Sequence, residues 1–429
     1  MKLSTDAELT LLQQEAFSYF LHETNPLNGL VIDKTEPDWP ASIAATGLAL
    51  AAYPVGVERG FVSRALAVER TLRTLRFFWN SPQGPEPDAT GHHGFYYHFL
   101  GMQSGRRAWQ CELSTVDSGF LLAGALTAGA YFDGKSADEQ EIRTLADSLY
   151  RRADWQWAQN HGDTLTHGWR PERGFLKYRW QGYDEALLLY ILGLGSPTHP
   201  LPESSYAAWA STYEWIHSYG LDYLYAGPLF THQLSHIWID FRGIRDAFMR
   251  AKGIDYFENS CRASLVQHRY AIDNPHKFVG YREGCWGFTA SDGPGPDSRK
   301  VDGVVRKFYG YIARGAPFGP DDGTIAPWAA VASLPFAPDI VLPLINYYVY
   351  QLKLKNNHPY GFKATFNLTH PDRSANPFGW ISPWHYGLNQ GPIILMIENY
   401  RTGLLWQWMR DCPYLVTGLR RAGFSGGWL

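Results

Sequence analysis

Residues 113–133 read LSTVDSGFLLAGALTAGAYFD, and residues 138–158 read DEQEIRTLADSLYRRADWQWA. The first stretch is apolar on nearly every side and rich in Gly and Ala, which is typical of a helix that is buried all round. The second stretch has apolar residues at helical spacing and a charged opposite face, which is typical of a helix with one solvent-facing side. The two stretches together predict a buried helix and a second helix that covers it.

The same alternation of helix types recurs along the chain. Other apolar helices are predicted at 39–60 and 183–195, and another amphipathic helix at 62–80. A regular exchange of buried and half-exposed helices indicates an inner ring wrapped by an outer ring. We therefore predict an all-α fold, an (α/α)6 toroid, formed by residues 1–429 as a single domain. A helical solenoid is the alternative, but it requires a fixed sequence period, and the sequence shows none.

Small residues and long connections refine this prediction. Gly and Ala within the apolar helices would let neighbouring backbones approach closely. The connections 80–100 and 314–327 are long and contain Gly, Pro, aromatic and acidic residues, so we expect them to line a site. Brief β elements are predicted at 175–184 and 362–371, where apolar and polar residues alternate for a few positions.

Aromatic residues are unusually abundant: 17 Trp, 26 Tyr and 23 Phe make up 15% of the chain. Aromatic rings stack on the C–H faces of sugars, and Tyr and Trp add hydrogen bonds. A carbohydrate ligand is one interpretation of this composition, and a large helical core rich in aromatic residues is the other. The net charge is −3, and Lys and Arg are scattered, which argues against nucleic acid or an anionic membrane as a partner.

Several kinds of site and location are not indicated by the sequence. The cysteines show no close pairing, so neither a disulfide framework nor a zinc site is predicted. The sequence has no glycine-rich nucleotide-binding motif and no serine-hydrolase elbow, and we predict no metal and no cofactor. No run reaches the ~18 apolar residues of a membrane span, and the first residues lack the apolar core of a signal peptide. We expect a cytoplasmic protein, or a periplasmic or secreted one if a signal peptide has been removed.

Residues 182–200, GYDEALLLYILGLGSPTHP, place two neighbouring carboxylates before a very apolar run. Acidic residues favour the first turn of a helix, and Asp is the stronger N-cap residue, so Asp184 fits a capping role. A carboxyl group held against an apolar wall has a raised pKa and can keep its proton at neutral pH. We therefore predict that Glu185 is a general acid.

Glycoside cleavage needs a second carboxyl group across the scissile bond. The candidates are Glu283, in a stretch rich in Gly and Pro, and Glu112 and Asp117, at the start of the apolar helix described first. Ser114 and Asp117 also match a capping box, which is the structural alternative for Asp117. The identity of the second catalytic carboxylate stays open among these three.

Residues 286–295, WGFTASDGPG, cannot continue a helix and predict a tight, exposed loop. We expect Trp286 to stack on a sugar ring and Asp292 to accept hydrogen bonds from sugar hydroxyl groups. An Asx turn is the structural alternative for Asp292. Trp384 and Asn389 lie in a later stretch rich in aromatic residues and are further candidates for binding a sugar.

The stretch HQLSHIWIDFRGIRD begins at His232 and carries His236 and Asp240 at four-residue intervals. A zinc site is not favoured, because Gln233 stands where zinc motifs of this spacing carry Glu. We predict instead that His236, Asp240 and Arg242 belong to a hydrogen-bonded network. That network either binds a sugar or stabilises the core.

Seven stretches, taken in order, resemble successive blocks of a bacterial glycoamylase-like family. They are SIAATGLALAAYPVGVERG, ELSTVDSGFLLAGAL, GYDEALLLYILGLGSPTHP, HQLSHIWIDFRGIRD, WGFTASDGPG, PFGPDDGTIAPWAAVASLPFAP and LNQGPIILMIENYRTGLLW. The resemblance spans residues 8–425. The family includes endo-β-1,2-glucanases and the related domain of cyclic β-1,2-glucan synthases.

This resemblance implies an (α/α)6 barrel with a long cleft, no metal requirement and cleavage of β-1,2-linked glucose chains. It places Glu185 on the general acid of the family and Asp292 on a substrate-binding position. The block that often reads IDQGP in the family reads LNQGP here, so that Asn389 replaces Asp. An amide is not a base, so a family base at that position would have to be replaced here by Glu283 or by an acid of the stretch 112–117.

We therefore predict a glycoside hydrolase that acts on β-glucan, with β-1,2-linked glucan as the expected substrate and Glu185 as the general acid. Its partner is an oligosaccharide or polysaccharide. The first alternative is a retaining or transglycosylating enzyme on the same glucan, with Glu185 and Glu283 as its catalytic pair. The second alternative is a noncatalytic glucan-binding protein that kept the cleft and lost the base.

Overall fold

The computed structural model describes residues 3–356 and 358–429. The helices are α1 (Thr5–His22), α2 (Ile43–Glu58), α3 (Arg64–Asn80), α4 (Thr115–Tyr131), α5 (Ala137–Arg152), α6 (Trp155–Gln159), α7 (Leu187–Gly195), α8 (Ser204–Ala210), α9 (Ala247–Lys252), α10 (Tyr256–Asp273), α11 (Pro327–Ala332), α12 (Pro338–Asn346), α13 (Gly387–Arg401), α14 (Leu404–Arg410) and α15 (Pro413–Arg421). Short 3-10 turns lie at Leu229–His232 and Ser235–Ile237, and a π-helical turn lies at Tyr347–Gln351.

Short strands lie between the helices. They are β1 (Ala41–Ser42), β2 (Gly91–His92), β3 (Phe95–Tyr97), β4 (Phe99–Leu100), β5 (Leu113–Ser114), β6 (Gly168–Arg170), β7 (Gly174–Phe175), β8 (Trp215–Ser218), β9 (Leu221–Leu224), β10 (Ala290–Ser291), β11 (Asp297–Val301), β12 (Val304–Phe308), β13 (Ile312–Ala313), β14 (Thr324–Ile325), β15 (Phe366–Asn367) and β16 (Trp380–Ile381). Among the described residues, no helix combines the length and the apolar character needed to span a membrane.

The helices α1 to α5 each begin at a serine whose hydroxyl group accepts a hydrogen bond from a backbone N–H of the first turn. The capping residues are Ser4, Ser42, Ser63, Ser114 and Ser136. A cap of this kind stabilises a helix by about 1 kcal/mol. The positions of these serines therefore help to define where the helices start.

Helices α2, α4, α7 and α13 form an inner layer. Their residues are almost all buried, and α2 packs on α4, α4 on α7, and α13 on α2. The backbones of α2 and α4 touch, because a Cβ atom at Gly124 would lie 2.0 Å from the carbonyl oxygen of Gly47. The prediction that small residues allow close approach of the apolar helices is confirmed at this crossing.

Helices α1, α3 and α5 form an outer layer around this part of the inner one. Helix α1 packs on α13, α3 packs on α2 and α5, and α5 packs on α4. Helices α3 and α5 bury one side and expose a charged side. The prediction of a buried helix followed by a helix that covers it is confirmed for α4 and α5.

The expectation of an all-α chain is wrong in one respect, because small antiparallel sheets accompany the helices. One sheet has the strand order β2-β3-β5-β6-β7, with Tyr96 opposite Ser114 and Leu113 opposite Trp169. Another joins β14, β15 and β16, and two hairpins pair β8 with β9 and β11 with β12. These strands are two to five residues long, which is too short for their alternation to stand out in the sequence.

The two predicted β elements have different outcomes. Strand β15 lies within 362–371, so that prediction is confirmed. The stretch 175–184 contains the last residue of β7 and an isolated bridge between Arg179 and Thr166. The strand predicted there is therefore mostly irregular backbone.

The N-terminal ends of several inner helices lie around one cavity. Strand β5 runs directly into α4, so its sheet lies beside the start of that helix. The first turns of α4, α11 and α13, together with Glu185, two residues before α7, line a common cavity. Because helix N-termini carry partial positive charge, this end of the inner layer favours acidic side chains.

Candidate active site

A cavity of about 350 Å³ lies where the inner helices begin. The side chains that line it include His98, Glu112, Asp117, His167, Trp180, Glu185, Tyr311 and Trp328. Three larger grooves, of about 630, 840 and 520 Å³, lie beside α3, α6 and α14, and none of them is lined by Glu112, Asp117 or Glu185. The smaller cavity is therefore the candidate active site, because it collects three of the carboxylates that sequence analysis selected.

The neighbouring carboxylates Asp184 and Glu185 have different surroundings. Asp184 Oδ1 accepts hydrogen bonds of 3.0 Å from the backbone N–H of Ala186 and from the indole N–H of Trp209, so it holds the start of α7. Glu185 is half-buried and lines the cavity. Burial raises the pKa of Glu185 above its usual range, and the negative charges of Asp184 and Asp117 raise it further. Glu185 is therefore suited to hold a proton near neutral pH and to donate it within the cavity.

Glu112 is held by two cations. His98 Nδ1 lies 3.0 Å from Glu112 Oε1, and Arg170 Nη2 lies 3.4 Å from Glu112 Oε2. The hydrogen bond from His98 lowers the pKa of Glu112 to about 2, although burial opposes this shift. Glu112 is therefore ionised at neutral pH and has no proton to donate there.

Asp117 lies in the first turn of α4. The Ser114 hydroxyl group hydrogen-bonds to the Asp117 carboxylate and accepts a 3.3 Å hydrogen bond from the Asp117 backbone N–H. The same carboxylate lines the cavity, and its Oδ2 lies 3.7 Å from His98 Nε2. Asp117 therefore takes part in the helix cap and also faces the cavity, which are the two roles considered from the sequence.

Asp33 is a carboxylate near this site that sequence analysis missed. Its Oδ2 accepts a 3.1 Å hydrogen bond from the indole N–H of Trp39. Burial raises the pKa of Asp33 to about 6, although Trp39, His98 and Lys34 act in the opposite direction. Isolated bridges to β1 and to the residue before α13 hold the segment around Asp33 in place. No helical or strand pattern marks this segment, so nothing in the sequence pattern pointed to Asp33.

Tyr311 is a second residue that sequence analysis missed. Its side chain is 62% exposed, and it lines the cavity. Although much of the side chain is exposed, burial at the hydroxyl end raises the pKa of Tyr311, and the negative charges of Asp33, Asp117, Glu185 and Asp292 raise it further. The hydroxyl group is therefore a neutral donor among acids. An aromatic residue in a connection rich in Gly was the signal that could have found it.

A sequence model of the family described as "Putative glucoamylase" matches residues 177–413, more than half of the chain. The chain belongs to the glycoamylase family. The matched region contains Glu185, Asp292 and Asn389, whereas Glu112 and Asp117 precede it.

Relatives of this chain include β-1,2-glucan hydrolases. It is 30% identical to the exo β-1,2-glucooligosaccharide sophorohydrolase (non-reducing end) of Parabacteroides distasonis, over 97% of this chain and 58% of that protein. The chain thus spans less than two thirds of the length of that relative. A crystal structure named a "putative glucoamylase" from Bacteroides uniformis matches with a TM-score of 0.87 and 34% identity over 100% of both chains. The endo-β-1,2-glucanase of Chitinophaga pinensis, solved with sophorotriose and glucose, matches with a TM-score of 0.85 and 27% identity over 100% of both chains.

Three of the residues predicted to bind a sugar do not line the cavity themselves but lie on segments that adjoin its lining residues. Asp292 is half-buried, and its Oδ2 accepts a 2.9 Å hydrogen bond from Ser382. Trp384 is half-buried just before α13. Asn389 is buried in the first turn of α13, beside Leu388, which lines the cavity. Contact of these side chains with a sugar stays a prediction.

Two other predicted residues are not brought to the cavity. Trp286 is fully buried at 0% exposure, with its ring 6.0 Å from that of His268, so the prediction that it stacks on a sugar is wrong. Glu283 is exposed and does not line the cavity, so its assignment as a catalytic carboxylate is also wrong. A short bridge between Arg282 and Cys285 turns the chain there, and this turn separates the exposed acid from the buried ring.

The network around His236 is largely buried and does not line the cavity. His236 is fully buried, its Nε2 lies 3.0 Å from the Ser260 hydroxyl group, and burial lowers its pKa to about 3. Asp240 is buried and forms ion pairs with Arg242, at 2.7 Å, and with Arg410. The prediction that His236 and Asp240 bind a sugar is therefore wrong. Arg242, whose side chain is 52% exposed, pairs with Asp240 and does not line the cavity, so its role in sugar binding stays a prediction.

The structure also bears on metals and thiols. Within residues 3–356 and 358–429, no three His, Cys, Asp or Glu side chains are grouped as a metal ion would require. The cysteines at positions 111, 261, 285 and 412 are free thiols. Cys111 lies next to Glu112 in the chain, and burial raises the pKa of its thiol to about 11. Cys111 is therefore a neutral thiol near the site at physiological pH.

Proposed function

We propose that this protein is a glycoside hydrolase that cleaves β-1,2-linked glucan, with Glu185 as the general acid. The observation that carries this proposal is the position of Glu185, half-buried in a cavity lined by further carboxylates, with a raised pKa. An exo β-1,2-glucooligosaccharide sophorohydrolase and an endo-β-1,2-glucanase are among its relatives, which supports the substrate class.

Asp117 is the partner carboxylate that the geometry favours. Glu283 is exposed outside the cavity. Glu112 is paired with both His98 and Arg170, and its pKa, lowered to about 2, makes it a weak base. Asp117 lines the cavity and is close enough to Glu185 for its charge to raise the pKa of that residue. Glu185 would protonate the leaving glycosidic oxygen while Asp117 takes a proton from the attacking water.

This division of roles predicts inversion at the anomeric carbon. Attack by water on a β-glucoside from the opposite face releases a product that is initially the α-anomer. In the retaining alternative, Asp117 would instead be the nucleophile, and the first product would be the β-anomer. Time-resolved NMR of the anomeric protons separates the two outcomes.

Polar and aromatic side chains around the acids would hold the glucose units. The neutral hydroxyl group of Tyr311 can donate a hydrogen bond to a sugar oxygen, and Asp292 can accept one from a sugar hydroxyl group. Trp384 would offer an aromatic face, and Asn389 would offer both a donor and an acceptor. The partner that we propose is therefore an oligosaccharide or polysaccharide of glucose.

We also infer that the two helical layers close into an (α/α)6 toroid that residues 1–429 form as one domain. The packing of α13 on α2 supports this arrangement, because it brings the last inner helix against the first. The packing of α11 on α13 extends the inner layer in the other direction. The sheet that contains β5 then lies at the end of the ring where the cavity opens.

The test is the release of reducing ends from β-1,2-glucan, with β-1,3- and β-1,4-glucans for comparison. We expect the wild type to cleave β-1,2-glucan preferentially. Glu185→Gln keeps the size of the side chain but cannot donate the proton, so its rate should fall by about 10²- to 10⁴-fold. Glu283→Gln is the matched control, because Glu283 is exposed outside the cavity, and it should keep the wild-type rate.

Two results would overturn the proposal. Equal rates for the wild type and Glu185→Gln would reject Glu185 as the general acid. Binding of β-1,2-glucan by the wild type without release of reducing ends would indicate the noncatalytic glucan-binding protein.

A further inference from the structure

His167 lines the cavity beside the carboxylates, and the proposed proton transfers do not use it. Its ring stacks on that of Trp180, with 3.8 Å between centroids and 17° between planes. Trp180 is itself buried, and its indole N–H donates a 3.0 Å hydrogen bond to the hydroxyl oxygen of Thr115. The Trp180 ring is therefore fixed, and it holds one face of the His167 ring.

The backbone of His167 is fixed by the same part of the fold. Its N–H donates a 3.0 Å hydrogen bond to the carbonyl oxygen of Tyr178, and its own carbonyl oxygen accepts one of 3.3 Å from the backbone N–H of Thr115. Thr115 is the first residue of α4, one of the buried inner helices. The imidazole is therefore placed before any ligand binds, and a side chain that is already placed loses little freedom on binding.

The ring of His167 offers hydrogen-bonding groups to the cavity. In the part of the chain that the structure describes, no side chain hydrogen-bonds to this ring. Burial lowers its pKa, although the backbone of Arg179 and the negative charge of Glu112 act in the opposite direction. The ring is therefore neutral at neutral pH, with one nitrogen that donates and one that accepts a hydrogen bond. A sugar hydroxyl group, which also both donates and accepts, is a fitting partner for it.

Other polar side chains of the cavity already have partners. Glu112 is held by His98 at 3.0 Å, and the carboxylate of Asp117 is hydrogen-bonded to the Ser114 hydroxyl group. A ligand that bonded to these groups would compete with contacts inside the protein. A ligand hydroxyl group beside the ring of His167 would instead gain a hydrogen bond without displacing a side chain.

We propose that His167 is a substrate-binding residue that hydrogen-bonds to a hydroxyl group of the glucose unit in the cavity. This inference rests on the proposed function, in which the cavity holds a glucan. Trp180 covers a face of the ring, and the nitrogens lie on the ring edge, where they stay free for hydrogen bonds. An interaction made equally in the ground state and in the transition state lowers KM without changing kcat.

The first test is the kinetics of His167→Phe, which keeps an aromatic ring on Trp180 but removes both nitrogens. KM for β-1,2-glucan should rise about five- to tenfold, as the loss of one hydrogen bond predicts, and kcat should stay close to the wild-type value. His92→Phe is the matched control. His92 is half-buried, lies 5.0 Å from the ring of Trp169 and has its pKa lowered by burial, but it does not line the cavity. This control should keep the wild-type KM.

A second measurement uses the wild type alone, so it does not depend on the folding of a variant. Nitrogen NMR of the imidazole rings is followed during a titration with sophorose, the β-1,2-linked disaccharide of glucose. The resonances of His167 should shift, and those of His92 should not.

Either of two results would overturn the inference. One is a KM for folded His167→Phe that equals that of the wild type or rises no more than that of His92→Phe. The other is a set of His167 resonances that do not move at any sophorose concentration. Failure of the proposed function has a different signature, because Glu185→Gln would then cleave β-1,2-glucan at the wild-type rate whatever sophorose does to His167.

Discussion

Arg314 and Asp322 form an ion pair that is fully buried in the protein. Arg314 Nε lies 2.8 Å from Asp322 Oδ1, and the two side chains are 1% and 0% exposed. The same guanidinium group donates hydrogen bonds to the backbone carbonyl oxygens of Ser291 and Tyr309, and Asp322 accepts one from the Tyr309 backbone N–H. The pair therefore supports the loop that presents Tyr311 to the cavity.

Arg314→Leu should destabilise the protein strongly, because it leaves the Asp322 carboxylate buried without its partner. We expect the free energy of unfolding to fall by about 3–5 kcal/mol, measured by urea denaturation. The matched control is Arg299→Leu, which removes the Arg299–Asp297 pair, whose side chains are 56% and 28% exposed. That change should stay within about 1 kcal/mol. Equal losses for the two variants would contradict a special role of the buried pair.

The raised pKa of Glu185 predicts two effects of alkaline pH. The activity of the wild type should fall, and the stability of Glu185→Gln should rise relative to that of the wild type. Activity should fall as pH rises through the raised pKa, because the general acid then loses its proton. In the unfolded chain Glu loses its proton near pH 4.3, at about its usual pKa. The folded protein therefore binds one more proton than the unfolded chain above that pH, and its stability falls as pH rises towards the raised pKa.

Glu185→Gln removes this titration and isolates its effect. The free energy of unfolding of the variant, relative to the wild type, should rise steadily from pH 4 to mildly alkaline pH. Urea denaturation of both proteins at matched pH values measures the difference. A difference that does not change with pH would show that Glu185 titrates normally.

An aromatic surface lies beside the cavity, and it predicts that the KM of the enzyme depends on the length of the glucan. Trp109 is 57% exposed, and its ring lies 4.6 Å from that of Trp39 and 5.3 Å from that of Phe99, which stacks on His98. Trp109→Ala should remove a stacking face of about 0.5–1.5 kcal/mol and raise KM for long β-1,2-glucans roughly three- to tenfold.

The same variant should change KM for the shortest cleavable oligosaccharides much less, because these would not reach Trp109. Trp79→Ala is the control: Trp79 is 40% exposed on α3, where Arg152 covers its ring at 4.8 Å. It should leave KM unchanged for every length. A uniform increase in KM across all lengths for Trp109→Ala would refute the length dependence.

The crossing of α2 and α4 predicts a strong response to one added methyl group. A Cβ atom at Gly124 would lie 2.0 Å from the backbone oxygen of Gly47, so Gly124→Ala should cost about 1–3 kcal/mol of unfolding free energy despite the higher helix propensity of Ala. In the same helix, a Cβ atom at Gly129 would meet the side chain of Ala146 at 3.2 Å. Gly129→Ala should therefore cost less, and a thermal melt of the two variants compares them.

The sequence predicted the parts of the site that lie at helix starts. Asp117 and Glu185 each stand next to a long apolar run, and such runs mark buried helices whatever the tertiary structure. The helices α4 and α5 could be predicted for the same reason, because the spacing of their apolar residues indicates which faces are buried and which are exposed.

The rest of the site depends on contacts between distant segments. His98, Asp33 and Tyr311 lie in irregular chain that is held by strands of two or three residues and by single bridges, which carry no periodic signal. Trp286 and His236 were misassigned because an aromatic or imidazole ring in a Gly-rich or polar stretch can face either a cleft or the core. Only the packing of neighbouring elements decides between the two.

The closure of α13 on α2 has a consequence for synthesis on the ribosome. Asp33 is held next to the residue that precedes α13, so the cavity joins an early and a late part of the chain. A nascent chain acquires Asp117 and Glu185 long before α13 is translated. We therefore expect a chain released before α13 to be inactive on glucan even though it contains both proposed catalytic carboxylates, and hydrolysis should appear only after that helix has left the ribosomal tunnel.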